Sequence, residues 1–161
     1  ITWLTMSEQK VFSINDLKRF SALEGKVLKD VIYYVWINRF PKSSPLVFID
    51  KLQFIFADES VVTLTAGDQS DALYFLDDFD LKREAELLEQ EFNGEITLKA
   101  HSAINDRFWA GLNDKKITSV RLSKQQNEYL ADAVVFDLEG DLRLVGVSPE
   151  EGVLIDFYED I

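Results

Sequence analysis

Cysteine is absent from these 161 residues, histidine occurs once, proline three times and glycine seven times. Without cysteine there is no disulfide, no thiolate nucleophile and no cysteine-ligated metal. With His101 as the one histidine, a mononuclear zinc site, which takes three or four strong ligands, is not expected. The glycines are scattered singly, so neither a G-x-G-x-x-G fingerprint nor a Walker phosphate loop is present. No cofactor is expected. No apolar run approaches the roughly 18 residues of a transmembrane helix. Residues 1–10 lack the charged start and apolar stretch of a signal peptide. The expected location is the cytoplasm. A removed export signal is the alternative, as is Met6 as the original start after a short remnant.

Bases are scarce too: 17 against 29 acids, a net charge of −12. Nucleic acids and anionic membranes both attract bases, so neither is an expected partner. The balance is uneven along the chain. Residues 10–51 hold eight bases and four acids, +4, whereas residues 52–161 hold nine bases and 24 acids, −15. An acidic surface of this kind favours a basic protein partner, or serves solubility alone.

What is abundant is apolar side chain. Hydrophobic residues make up 47%, with 12 Phe, 5 Tyr and 3 Trp. At this length a single domain spanning residues 1–161 buries roughly 70% of its unfolded surface without a staple. Residues 1–8 are a candidate tail.

The pattern reads as α+β, with a predominantly antiparallel sheet packed by two or three helices. Ser13-Ile-Asn-Asp16 has the form of a capping box and opens a helix to about Phe20. Val27 to Asn38 is apolar on both parities, as in a strand covered on both faces, and is expected to be central. Phe40 to Pro45 is a loop. Leu46 to Ala57 and Val61 to Thr65 form a hairpin around Asp58-Glu59-Ser60, and Ala72 to Leu76 a short strand. Leu81, Ala85, Leu88 and Phe92 recur at helical spacing between a capping Asp80 and a terminating Asn93-Gly94. Ile96 to Ala100 reads as a strand and Ser102 to Leu112 as a helix. Ile117 to Leu122, Ala133 to Leu138, Leu142 to Val147 and Val153 to Phe157 read as strands, with Gln125 to Tyr129 irregular.

A weak echo links Leu23–Val31 with Leu112–Val120. Phe56, Val62 and Leu64 match Phe136, Leu142 and Leu144 at one spacing. Two similar β-meander halves, residues 22–76 and 111–158, explain it. So does chance similarity between hairpins of equal length.

No motif assigns a catalytic, cofactor or metal residue. Asp106 is near enough in sequence to approach His101, which by default makes one local hydrogen bond. Asp77, Asp78 and Asp80 suit a helix start. Asp132, Asp137, Glu139 and Asp141 crowd a turn whose glycine is misplaced for a calcium loop. The remaining signal is aromatic: Tyr34, Trp36, Arg39 and Phe40 cluster, and aromatics with arginine are enriched at binding hot spots.

The chain therefore reads as an acidic protein-binding or regulatory domain, neutralising or binding a basic protein. In general class it is similar to the small acidic α+β immunity proteins of bacteria, a likeness no motif carries. The alternatives are a divalent-metal-dependent hydrolase working through Asp and Glu, and a structural subunit of a homo-oligomer.

Overall fold

The computed structural model describes residues 10–40, 44–67 and 69–159. The candidate tail, residues 1–8, lies outside them, as do residues 41–43 of the loop before Pro45. Nine antiparallel strands and two helices run in the order α1 (Ile14–Ala22), β1 (Leu28–Asn38), β2 (Leu46–Phe56), β3 (Val61–Thr65), β4 (Tyr74–Phe75), α2 (Leu81–Phe92), β5 (Ile96–Ser102), β6 (Ile117–Gln125), β7 (Glu128–Leu138), β8 (Asp141–Ser148) and β9 (Gly152–Phe157). Neither helix is long and apolar enough to cross a membrane.

Both helices begin where their caps dictate. Ser13 Oγ accepts from the Asp16 N–H at 3.1 Å, and Asp16 Oδ2 accepts from the Ser13 N–H at 3.0 Å. Two of the otherwise orphaned donors of the first turn are thereby satisfied. Asp80 caps α2 through the Arg83 N–H at 3.1 Å, and Asn93 ends it in the left-handed conformation, φ 52°.

β1 is central, with β2 on one side along its length and β5 on the other over Ile32–Asn38. Beyond β5, the start of β1 meets the approach to β6. Val27 bridges Lys116, and four hydrogen bonds of 2.8 Å join residues 25–28 to residues 114–117. On its far edge β2 pairs with β3, and with β9 at Ile49–Val153. The path β1-β2-β9-β8-β7-β6 therefore returns to β1 as a closed ring. Closure gives the ring strands an inside, while β4 and β5, each paired on one side only among the described residues, stay as edges. That inside is the core: Phe54 of β2 meets Phe136 of β7 edge to face at 5.0 Å and Trp109 at 5.5 Å. Phe20, Leu28, Leu52, Phe56, Leu64, Leu112, Ile117 and Leu138 fill the space around them.

Two expectations fail locally. The expected helix over residues 102–112 is absent: Ser102 ends β5, and residues 103–112 are a run of tight turns, with Asp106, Trp109 and Leu112 each donating to the carbonyl three residues back. Both ends of the run are pinned to β1, since the Ala103 N–H donates to Val31 O and the Asp114 N–H to Leu28 O. Val31 and Leu28 lie about 10 Å apart along an extended strand. An eleven-residue helix spans about 16 Å and does not fit. Gln125 to Tyr129 is not irregular either. β6 and β7 pair up to Gln125–Glu128 and turn through Gln126 and Asn127, both at positive φ, as a two-residue hairpin requires. The two strand boundaries near Ala72–Leu76 and Ala133 also move: β4 is confined to Tyr74–Phe75, and β7 starts at Glu128.

Candidate functional site

The last pairs of the β1–β2 ladder, Trp36 with Phe48, Ile37 with Val47 and Asn38 with Leu46, extend past β9's contact at Ile49. With fewer neighbours there, strand side chains stay open. Phe40 is 74% exposed, Val47 61% and Leu46 56%. β5 and the C-terminal end of α2 contribute Ile96 and Phe92. Two clefts open between these residues. One, of about 430 Å³, is lined by Asn38, Phe40, Phe92, Asn93, Glu95 and Ile96. The other, of about 300 Å³, shares Asn38 and Ile96 with it and adds Trp36, Leu46, Val47, Phe48 and Glu150. Together they form one apolar strip across the end of the sheet.

The strip has an acidic border. Glu95 stands in the first cleft, Glu150 in the second, and Glu91 beside them in a third cleft under α2. Among the described residues none of these three is in an ion pair. Lys51 is the buried base of the neighbourhood. Its ammonium is held between Asp50 and Glu84, the latter at 3.1 Å, and lies 5.0 Å from the Phe79 ring centroid. Its charge is thus matched internally, and the outer acids keep theirs.

The sequence-derived cluster divides. Trp36 and Phe40 line the strip. Trp36 stacks at a tilt on Phe48, 5.1 Å between centroids, and its buried indole N–H meets no acceptor among the described residues. Arg39 is exposed and bends back to β5, donating to Thr97 Oγ1 at 2.8 Å. Tyr34 is elsewhere: it is buried against Phe79, and its hydroxyl donates to Gln53 Oε1 at 2.9 Å. Burial pushes its phenol above the usual pKa. Leu46, Val47, Phe92 and Ile96 escaped the sequence reading. Leu46-Val-Phe-Ile49 is apolar on both parities, as β1 is, and that signal was legible; Phe92 has the spacing of an inward helical residue, yet is 37% exposed.

Of the carboxylates considered for chemistry, Asp77, Asp80, Asp137 and Glu139 have structural partners. Asp77 pairs with Arg19 at 2.9 Å, which holds its carboxyl below the usual range. Asp137 accepts from Arg121 and from the Gly140 N–H, and Glu139 accepts from the Lys116 N–H. Among the described residues no three His, Asp or Glu side chains converge as metal ligands do. His101 Nε2 lies 2.7 Å from Asp106 Oδ2, both half exposed. That pair sits five positions along β5 from Ile96, roughly 16 Å from the strip. What the strip can do is bury apolar surface next to carboxylates that have no ion-pair partner among the described residues.

No protein family, no curated protein and no solved structure matches this chain.

Proposed function

We propose that the chain is a recognition module that binds a basic protein through the strip running from Phe40 and Phe92 across Asn38 and Ile96 to Leu46 and Val47. The observation that carries this reading is a contiguous exposed apolar surface bordered by carboxylates that have no ion-pair partner among the described residues. Burying one large apolar side chain contributes about 1.5–3 kcal/mol. Four such residues offer several kcal/mol, of the size needed to offset the roughly 4–15 kcal/mol cost of association. The acids contribute differently, by steering a cationic partner and disfavouring an anionic one. A second copy of the chain is the poorer occupant, because a body of net charge −12 repels itself.

The test is affinity capture from lysate of the source cells, using three proteins: the native chain, a Phe40→Ser/Val47→Ser variant, and a Glu91→Lys/Glu95→Lys/Glu150→Lys variant. These positions are exposed or lie at a cleft rim, so all three should give the same circular dichroism and thermal midpoint. The expected result is one basic protein retained by the native chain at low salt, released at high salt, and absent from both variants. Equal capture by all three proteins, or retention indifferent to salt, would remove the strip from the account.

A further inference from the structure

Residues 20–75 and 109–155 correspond contact by contact. A shift of 89 positions takes the Gly25 N–H to Ile117 O bond into the Asp114 N–H to Leu28 O bond, and the Leu28 N–H to Lys115 O bond into the Ile117 N–H to Lys26 O bond. The bridge Val27–Lys116 maps onto itself. Gly25 and Asp114, equivalent under the shift, both have left-handed φ, 90° and 71°. Register breaks fall at Leu28/Asp30 in one half and at Ile117/Ser119 in the other. Past residues 39–45, which have no counterpart, the shift is 82 in β2 and 80 at β4, and the bridge Ile49–Val153 between halves has its counterpart in the Leu73 N–H to Ala131 O bond. Phe54 aligns with Phe136, and the two touch across the core.

We infer that the chain is a duplicated four-stranded meander, β1–β4 and β6–β9, with a two-fold axis near Val27–Lys116 and Phe54–Phe136. Hairpins alike by chance reproduce lengths, but not reciprocal hydrogen bonds, matched register breaks and matched left-handed residues. The alignment differs from the sequence echo in its second part: Phe56, Val62 and Leu64 correspond to Leu138, Arg143 and Val145. A residue exchange tests it. Gly25→Asp should lower the thermal midpoint, Asp114→Gly should raise it, and the double exchange should return close to the native value, since each site imposes the same backbone. A double variant as damaged as Gly25→Asp alone would overturn the equivalence.

The departures from this repeat converge. β6 and β7 join directly at Asn127–Glu128, whereas their counterparts Asn38 and Leu46 are separated by residues 39–45. α2 and β5 also lack counterparts. Both additions meet in the 430 Å³ cleft, Phe40 from the first and Phe92, Asn93, Glu95 and Ile96 from the second. Phe40 is oriented by its N–H donating to Asn38 Oδ1 at 3.0 Å, and Arg39 is turned to Thr97, leaving the Glu95 carboxylate without an ion-pair partner among the described residues.

Resting on the recognition reading, we further propose that this cleft receives one arginine or lysine side chain of the basic partner. Phenyl faces attract a cation, an apolar wall accepts its methylene stem, and a carboxylate receives its head. Amide-resolved NMR titration with N-acetyl-arginine amide, and with the neutral isostere N-acetyl-citrulline amide, tests this. Expected are saturable shifts at Asn38, Phe40, Glu95 and Ile96 with the arginine probe alone, weakened about two- to fivefold by Glu95→Gln and by Phe40→Ala. No saturable shift, or equal binding of citrulline, overturns the anchor. Capture of a basic protein through the strip without any arginine shift in the cleft would remove the anchor and leave the recognition reading standing. Arginine shifts without such capture would do the reverse.

Discussion

Replacing Trp109 by alanine is expected to lower folding stability by about 3–5 kcal/mol, the largest loss at any single core position. Trp109 is fully buried, packs edge to face on Phe54, and donates its indole N–H to the Tyr33 hydroxyl at 2.6 Å. Truncation opens a cavity beside the Phe54–Phe136 contact and leaves the Tyr33 oxygen short of a donor. Trp109→Phe retains much of the volume and should cost clearly less. The measurement is urea denaturation, in which the midpoint should fall with little change in slope. The same pair contributes to the alkaline limit. Burial, reinforced by the nearby Asp106 charge and partly offset by the Trp109 hydrogen bond, pushes the Tyr33 phenol up to about 12. The native state therefore keeps a proton that the unfolded chain releases near pH 10. Tyr33's contribution is complete below pH 10 and is lost progressively between pH 10 and 12. Tyr33→Phe should remove that loss; an unchanged alkaline profile would count against the assignment.

Gly152→Ala should have the next largest effect, about 2–5 kcal/mol, and a local signature. Gly152 has φ 72°, and a Cβ there would stand 2.5 Å from the Ile49 carbonyl oxygen and 2.9 Å from the Phe48 ring. A left-handed L-residue costs about 1–2 kcal/mol, and forced overpacking about 1–3 kcal/mol more. The clash lies on the narrow seam where β2 meets β9 at Ile49–Val153. Hydrogen exchange should accelerate at the start of β9 before the rest of the ring opens. Gly25→Ala is the control: it shares the left-handed backbone, but its Cβ would meet nothing within 4 Å. If the two variants lose equal stability, the close approach is not what sets the cost. Because Phe48 also forms part of the strip, the seam variant should weaken partner capture as well.

The two kinds of side chain that mattered most were unequally legible. β1 was readable because apolar residues on both parities require cover on both faces: Val31 and Tyr33 join the core on one face, and Tyr34 packs on Phe79 on the other. α1 and α2 were readable because a cap is a local event, complete within four residues. The turns at 102–112 were not readable: Ile104, Phe108 and Leu112 have helical spacing, and only the anchors at Val31 and Leu28 forbid the helix. For the site, Trp36 and Phe40 stood out by type, whereas Tyr34 shares their type and lies under Phe79. Phe92 shows the opposite failure, a position with inward helical spacing that is left open at the rim of the cleft with Asn38 and Ile96.

Composition and local pattern alone determined that this chain is acidic, free of thiol chemistry, rich in antiparallel strands and capped at two helices. Those are properties of single residues and of neighbours a few positions apart. The closed ring, the reciprocal contact of its two meanders and the gathering of Phe40, Phe92 and Ile96 in one cleft were decided by tertiary structure. Each joins residues some 50 to 100 positions apart, and their meeting depends on register and closure, which no local preference encodes.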